Sequence, residues 1–155
     1  ELAFAPVDLN EEAMEDEWST DIGVGCKYFS QDAVIKLAPR AGIELDETLS
    51  LADKLKQVQA LMAEDDERAQ KVFESIGCYL GHTLPFYAMF YDLSYLILLG
   101  RVTSGKGGDI VLDVCKNVLK EEYPELYAKL TVMLPDEKIR RVGQSVAAAS
   151  LPAIK

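Results

Sequence analysis

The feature that most constrains the fold is an uninterrupted apolar run, Tyr95-Leu96-Ile97-Leu98-Leu99, which ends at Gly100. A run of this length closed by glycine predicts a fully buried strand. A helical pattern over residues 109–121 and a second apolar run over residues 129–134 follow it. Strand, helix and strand in this order predict a β-α-β unit with parallel pairing and a right-handed crossover. We therefore expect an α/β protein.

Three helical patterns precede this unit, so we expect more helix than strand. Ser30 and Ser50 stand at the starts of the first two helices as N-caps, and Asp53 completes a capping-box-like pair with Ser50. The third and longest helix is expected to start around Asp65. Pro85 should kink it, because proline removes a helical hydrogen bond.

Glycines and aromatic residues add further expectations for this half of the chain. Gly77 and Gly81 are four residues apart on the third helix and predict a strip where another backbone approaches closely. The apolar run over residues 86–91 predicts a buried helix end. The glycines at 105, 107 and 108 predict a flexible loop, and residues 137–149 a final helix.

Length and composition limit the classes of function. The 155 residues predict one domain, and 49% hydrophobic residues are enough for a core. The net charge of -10 disfavours binding of this segment to nucleic acid or to an anionic membrane. A basic segment elsewhere in a longer protein would still permit DNA binding. No apolar stretch reaches the roughly 18 residues that a membrane span needs.

The cysteines and the first residue indicate the setting of the chain. Cys26, Cys78 and Cys115 are odd in number and widely spaced, which favours reduced, mostly buried thiols in a cytoplasmic protein. The chain starts with Glu1 and not with methionine, so we expect upstream sequence to be missing.

Several residues leave two interpretations open. The acidic cluster over residues 9–21 is expected to be a solvated loop or helix face, with a carboxylate metal site as the alternative. Trp18 within it is an anchor to the body or a ligand contact. His82, the single histidine, is a packed or hydrogen-bonded helix residue or a catalytic one.

Four segments, in order along the chain, resemble the ROK family, whose name stands for repressor, open reading frame and kinase. They are the opening Glu1-Leu-Ala-Phe-Ala-Pro-Val-Asp8, the pair Gly25-Cys26, the path from Phe86-Tyr-Ala-Met-Phe-Tyr-Asp92 to Leu96-Ile-Leu-Leu-Gly100, and the small-residue segment Val142-Gly-Gln-Ser-Val-Ala-Ala-Ala-Ser-Leu-Pro-Ala.

This resemblance implies a ribonuclease H-like lobe of an actin-like ATPase fold. The chain would be the C-terminal lobe over residues 1–155, without its N-terminal lobe. In the family, ATP with magnesium and a sugar occupy the cleft between the two lobes. Glu1 matches a glutamate that hydrogen-bonds the sugar, and Gly100 matches a turn near the nucleotide. Arg101 replaces the second glycine of that turn and is also expected at the nucleotide.

The chain departs from the family pattern at several positions. The family's zinc histidine falls at Phe4 and its first two zinc cysteines at about Ser19 and Asp21, which leaves Cys26 alone. Tetrahedral zinc needs four ligands, so we expect no zinc. The second sugar glutamate is Tyr28 here. The family's first phosphate loop and catalytic aspartate lie upstream, so we expect no catalytic residue and no activity of this chain alone.

The function expected from the resemblance is that of the C-terminal lobe of a sugar kinase, which phosphorylates a sugar hydroxyl with ATP when the other lobe is present. One alternative is a sugar-sensing transcriptional regulator of the same family, with a separate DNA-reading segment. Another is a degenerate relative that has lost both activities. Clustered tyrosines near the long helix also suggest a possible homodimer.

Overall fold

The computed structural model describes residues 2–139 and, beyond them, only residues 142, 145 and 149. Most of the expected final helix over residues 137–149 therefore lies outside the described residues. The described helices are α1 (Gln31–Arg40), α2 (Leu51–Ala63), α3 (Glu67–Ala88), α4 (Lys106–Glu122) and α5 (Pro124–Lys129); the strands are β1 (Tyr95–Ile97) and β2 (Thr131–Met133); three short 3-10 turns are Leu2–Phe4, Gly25–Lys27 and Arg101–Thr103.

The starts of the first three helices follow the capping residues in the sequence. The side chain of Ser30 accepts a hydrogen bond from the first turn of α1. The Ser50 hydroxyl oxygen accepts a hydrogen bond from the backbone N–H of Asp53 at 3.2 Å. The same hydroxyl donates to the carboxylate of Asp53 at 2.6 Å. Asp66 caps α3. These contacts satisfy backbone donors that have no partner within the helix, which confirms the first two predicted starts and moves the third by about one residue.

The core forms where α3 lies along α4, with α1 and α2 packed on the same side. A Cβ atom placed on Gly77 would lie 2.8 Å from the carbonyl oxygen of Val111, and one on Gly81 would lie 2.7 Å from the Cβ of Val118. The predicted close approach is therefore confirmed. The largest fully buried side chains are Phe73, Leu55, Leu84, Leu119, Val24, Val34, Val58, Val72 and Cys115.

The two strands pair in parallel, with Leu96 opposite Val132. The predicted β-α-β order is confirmed, with the additional short helix α5 leading into β2. Within the described residues, the chain is thus helix-rich with a small parallel sheet, an arrangement compatible with the α/β class.

Two predicted burials are wrong. Tyr95 is 69% exposed and Ile97 is 53% exposed, because the helices cover only one face of the two-stranded sheet. The run over residues 86–91 is not a buried helix end. Helix α3 passes through Pro85 and ends at Ala88, and the turn that follows directs Met89 and Phe90 into solvent.

The predicted flexible glycine loop is also wrong in part. Gly107 and Gly108 belong to the first turn of α4. A Cβ atom on Gly108 would lie 2.0 Å from the carbonyl oxygen of Thr103, and one on Gly107 would lie 2.7 Å from the ring of Phe73. These glycines are required by close packing. At the start of the chain, the 3-10 turn is followed by one antiparallel bridge between Pro6 and Val24.

The three cysteines are free thiols in different surroundings. Cys115 is buried, and burial raises its pKa to about 12. Cys26 is half-buried, and Cys78 is exposed, so the expectation that Cys78 packs in the core is wrong. Among the described residues, no helix combines the length and the apolar character needed to cross a bilayer.

We predict that Gly77→Val lowers the free energy of unfolding by about 2–3 kcal/mol, because the added side chain overlaps backbone atoms of α4 that cannot rotate away. Ser75→Val is the matched control, since residue 75 is an exposed position on the same helix. It should change stability by no more than about 0.5 kcal/mol. Urea unfolding followed by circular dichroism measures both values. Equal losses in the two variants would contradict the close-approach explanation.

Candidate functional site

The turn after β1 is the structural counterpart of the predicted nucleotide turn. Gly100 has a φ of 106°, in a region that favours glycine. A Cβ atom there would meet nothing within 4 Å, so the backbone angle and not crowding requires this glycine. The hydroxyl of Thr103 donates to the carbonyl oxygen of Gly100 at 2.9 Å and closes the turn. The turn thus has a defined shape at the carboxyl end of a parallel strand.

Arg101 lies exposed directly after this glycine. Its carbonyl oxygen accepts a hydrogen bond from the side-chain amide of Gln59 at 2.8 Å, which fixes the backbone. Its guanidinium makes no hydrogen bond or ion pair with any residue that the structure describes. The side chain is therefore a cation available to an anionic group at this turn.

The amino end of α4 lies beside the same turn. The Glu137 carboxylate, which follows β2, accepts from the N–H of Gly105 at 3.2 Å. The ammonium group of Lys106 pairs with Asp65 at 2.6 Å. The carboxyl ends of both strands thus converge on the positive end of the α4 dipole, where negative charge is favoured. Two depressions of about 470 and 180 Å³ flank the side chain of Gln59 here.

A cavity of about 400 Å³ connects the opening segment with this turn. Leu2 and Ala3 line it together with Leu99 and Val102, and most of its other lining residues are apolar. The predicted sugar segment and the predicted nucleotide turn therefore lie against one cavity. Glu1 itself lies outside the described residues.

The acidic cluster over residues 9–21, where the resemblance implies lost zinc ligands, is held by hydrogen bonds to Asp16. The carboxylate of this residue accepts from the N–H groups of Ser19 at 2.8 Å and Trp18 at 3.2 Å, and from the Cys26 thiol at 3.6 Å. The hydrogen bond from Ser19 is the main reason that the pKa of Asp16 lies below its usual value. Hydrogen bonds to one carboxylate thus organise this loop.

Lys27 connects this loop to α1. Its side chain is only 4% exposed and pairs with Asp32 at 3.0 Å, with Asp16 at 3.7 Å and with Glu17. Burial alone lowers the pKa of Lys27, but the hydrogen bonds to Glu17 and Asp32 more than offset it, so the pKa lies above its usual value. A buried ammonium group surrounded by carboxylates remains charged and holds the loop against the body.

Tyr28, for which the resemblance implies the position of a sugar glutamate, makes contacts within the protein. Its hydroxyl donates to the carboxylate of Asp8 at 2.5 Å, and its ring stacks on Tyr79 with centroids 4.7 Å apart. Burial and the hydrogen bond to Asp8 raise the pKa of Tyr28. The same hydrogen bond is the main cause that lowers the pKa of Asp8. The side chain is thus engaged within the protein.

The structure places both single residues that leave two interpretations open. His82 is a hydrogen-bonded helix residue, with Nδ1 3.2 Å from the Tyr123 hydroxyl and Nε2 3.6 Å from Glu122. Trp18 is 83% exposed, and its ring centroid lies 5.6 Å from that of Phe4. The expected anchoring of Trp18 in the body is therefore wrong.

Sequence reasoning did not identify Asp8, Asp16 or Lys27. The one available signal was that Lys27 is the first basic residue of the chain and follows the whole acidic cluster. Its burial and its three carboxylate partners depend on the path of the loop. Within the described part of the chain, no group of three or more histidine, cysteine, aspartate or glutamate side chains is placed to hold a metal ion.

We predict that Lys27→Gln lowers the free energy of unfolding at pH 7 by about 3 kcal/mol, because it removes a buried ammonium group and leaves the mostly buried carboxylates of Asp16 and Asp32 without this partner. The hydrogen bond from Lys27 is the main cause that lowers the folded-state pKa of Glu17, so it stabilises the wild type above about pH 4, and this stabilisation is lost as the pH falls through the folded value. The difference between wild type and variant should therefore shrink from pH 6 to pH 3.

Urea unfolding at each pH measures this difference. The matched control is Lys56→Gln, which removes the exposed pair with Asp53 and should cost no more than about 0.5 kcal/mol. An equal cost for the two variants, or a difference that does not change with pH, would count against the buried role of Lys27.

The expected absence of zinc stays a prediction with a direct test. Elemental analysis of the purified chain should give well below one zinc per chain, because the family's ligand positions hold Phe4, Ser19 and Asp21. A chelator should leave the melting temperature unchanged. One zinc per chain, or a fall in melting temperature with the chelator, would overturn the expectation.

Comparison with known proteins leaves the family open. No family model, curated protein or solved structure matches this chain at a significant level. The resemblance to the ROK family is therefore a hypothesis that rests on the motifs of the sequence.

Proposed function

We propose that the chain is the C-terminal, ribonuclease H-like lobe of an actin-like sugar kinase related to the ROK family. In the intact protein it would bind one side of a magnesium–ATP complex and of a sugar. The chemistry would require the other lobe, which would carry the phosphate loop and the catalytic aspartate. The chain alone would bind weakly and transfer no phosphoryl group.

The observation that carries this proposal is the geometry of the turn at Gly100. It follows a parallel strand, has a backbone angle that requires glycine, and leads into the amino end of α4. Ligands of open α/β sheets bind at the carboxyl ends of strands, and glycine there permits close approach of a phosphate or a purine ring. The guanidinium of Arg101, which pairs with no residue that the structure describes, adds a cation that suits a phosphate.

A specific observation also favours a second candidate, the degenerate relative. Tyr28 stands where the family has a sugar carboxylate, and its hydroxyl is already bonded to Asp8. A tyrosine bound in this way replaces a ligand contact by an internal one. Loss of sugar binding with retention of nucleotide binding would therefore be the expected behaviour of this candidate.

Location and assembly are part of the proposal. The three free thiols suit a reducing compartment such as the cytoplasm. The exposed aromatic side chains of Phe90, Tyr91 and Tyr95 support a homodimer, because exposed apolar patches often mark protein interfaces.

We predict that the chain binds a fluorescent ADP analogue with magnesium in the millimolar to high micromolar range. Arg101→Glu should weaken this binding by about tenfold, which is roughly 1.4 kcal/mol, because it replaces an attraction to phosphate by a repulsion. Lys129→Glu is the control, since residue 129 precedes β2 at the opposite end of the sheet and has the same change in charge. Fluorescence anisotropy measures the three affinities.

Two results would contradict the proposal. One is the absence of nucleotide binding by the wild type up to the millimolar range. The other is an equal loss of affinity in Arg101→Glu and Lys129→Glu, which would indicate a general charge effect. Isothermal titration with a panel of hexoses then separates the two candidates, because only the intact sugar site of a kinase lobe would give heat of binding.

A further inference from the structure

The acidic loop, residues 9–22, carries large apolar side chains that point into solvent. Leu9 is 91% exposed, Trp18 is 83% exposed and Ile22 is 57% exposed. Apolar side chains of this size are rarely left so open in one short segment without a partner. Neither the proposed nucleotide turn nor the 400 Å³ cavity includes any of the three residues.

The acidic loop has one defined conformation. Gly23 N–H donates to the Met14 carbonyl, Asp16 N–H to Asp21 and Thr20 N–H to Asp16, each at 2.9 Å. Glu15 forms an antiparallel bridge with Ile22. The buried ion pairs of Lys27 hold the loop against α1. A partner would therefore meet a surface whose ordering entropy has already been lost on folding.

The charge of the acidic loop has a single sign. Glu11, Glu12, Glu15, Glu17 and Asp21 are all exposed. The first basic residue of the chain, Lys27, is buried, so no exposed cation is present between residues 2 and 27. This combination of exposed apolar and acidic groups complements a surface with lysine or arginine around an apolar pocket.

Next to the acidic loop, a groove extends the apolar surface. Leu9 lines this groove of about 760 Å³ together with Val7, Tyr79 and Phe86. The groove shares no lining residue with the 400 Å³ cavity. A docked partner could thus bury Leu9 and the outer face of α3 in one contact.

We propose that the acidic loop is a docking site for a basic, partly apolar protein surface, with Trp18 as the central anchor. Tryptophan is enriched among residues that dominate binding energy, and the surrounding carboxylates would steer and orient a cationic partner. A second copy of the chain is disfavoured because the loop would meet its own negative charge. Nucleic acid and anionic membranes are disfavoured for the same reason.

Trp18 is the single tryptophan, so its fluorescence reports directly on the loop. The probe is a synthetic helical peptide of leucine and lysine with an amphipathic pattern, compared with a leucine–glutamate peptide of the same length. The leucine–lysine peptide should shift the Trp18 emission to shorter wavelength with saturation in the micromolar range. The affinity should fall as salt rises, and the leucine–glutamate peptide should give no shift.

Variants locate the contact with a labelled leucine–lysine peptide and anisotropy. Trp18→Ala should lower the affinity by at least tenfold, and the double variant Glu11→Gln/Glu12→Gln should reduce its salt dependence. Tyr127→Ala is the matched control, because it removes an exposed aromatic ring on α5, outside the acidic loop and its groove, and it should bind like the wild type. Circular dichroism confirms that each variant is folded.

Several outcomes would overturn the proposal. The first is no emission shift with the basic peptide, and the second is an equal shift with the acidic peptide. The third is equal affinity of Trp18→Ala and the wild type for the basic peptide. The last is an emission shift that increases with the concentration of the chain itself while sedimentation shows dimer formation. The last outcome would identify a second copy as the occupant. Binding of the loop to phosphatidylserine vesicles in place of the peptide would identify a membrane surface instead.

Discussion

The close contact of α3 with α4 is the constraint on which the rest of the structure depends. Gly77 and Gly81 have no side chains, so α4 approaches α3 to within van der Waals distance of its backbone. This position of α4 fixes its amino end, and the amino end fixes the turn at Gly100. Helix α4 also belongs to the connection between β1 and β2, so its position limits where β2 can pair with β1. A larger side chain on α3 would therefore move the candidate site as well as disturb the core.

The second organising contact is electrostatic and lies at the other side of the molecule. Lys27 is buried with three carboxylate partners, two of which come from the acidic loop and one from α1. An unpaired ammonium group at that depth would be costly, so the loop must stay closed over it. In this conformation of the loop, the side chains of Leu9, Trp18 and Ile22 are exposed to solvent. One contact thus both stabilises the loop and exposes its apolar side chains.

Residues with local roles were predictable from the sequence. Ser30 and Ser50 act as caps because a hydroxyl satisfies free N–H groups at a helix start, whatever the rest of the fold does. Residues whose role depends on neighbours were not. Tyr95 and Ile97 look like core residues by composition but lie on an uncovered sheet face. Gly107 and Gly108 look like a loop, yet they pack inside the first turn of α4.

The sequence by itself determined the starts of the first two helices, the parallel β-α-β order, the glycine strip on α3 and the acidic character of residues 9–21. These depend on periodicity, capping and charge, which are properties of short segments. Only the tertiary structure decided which apolar side chains face solvent, that Lys27 is buried among carboxylates, and that the opening segment and the turn at Gly100 share a cavity. Burial and charge pairing depend on segments far apart in the chain, and only packing brings these together.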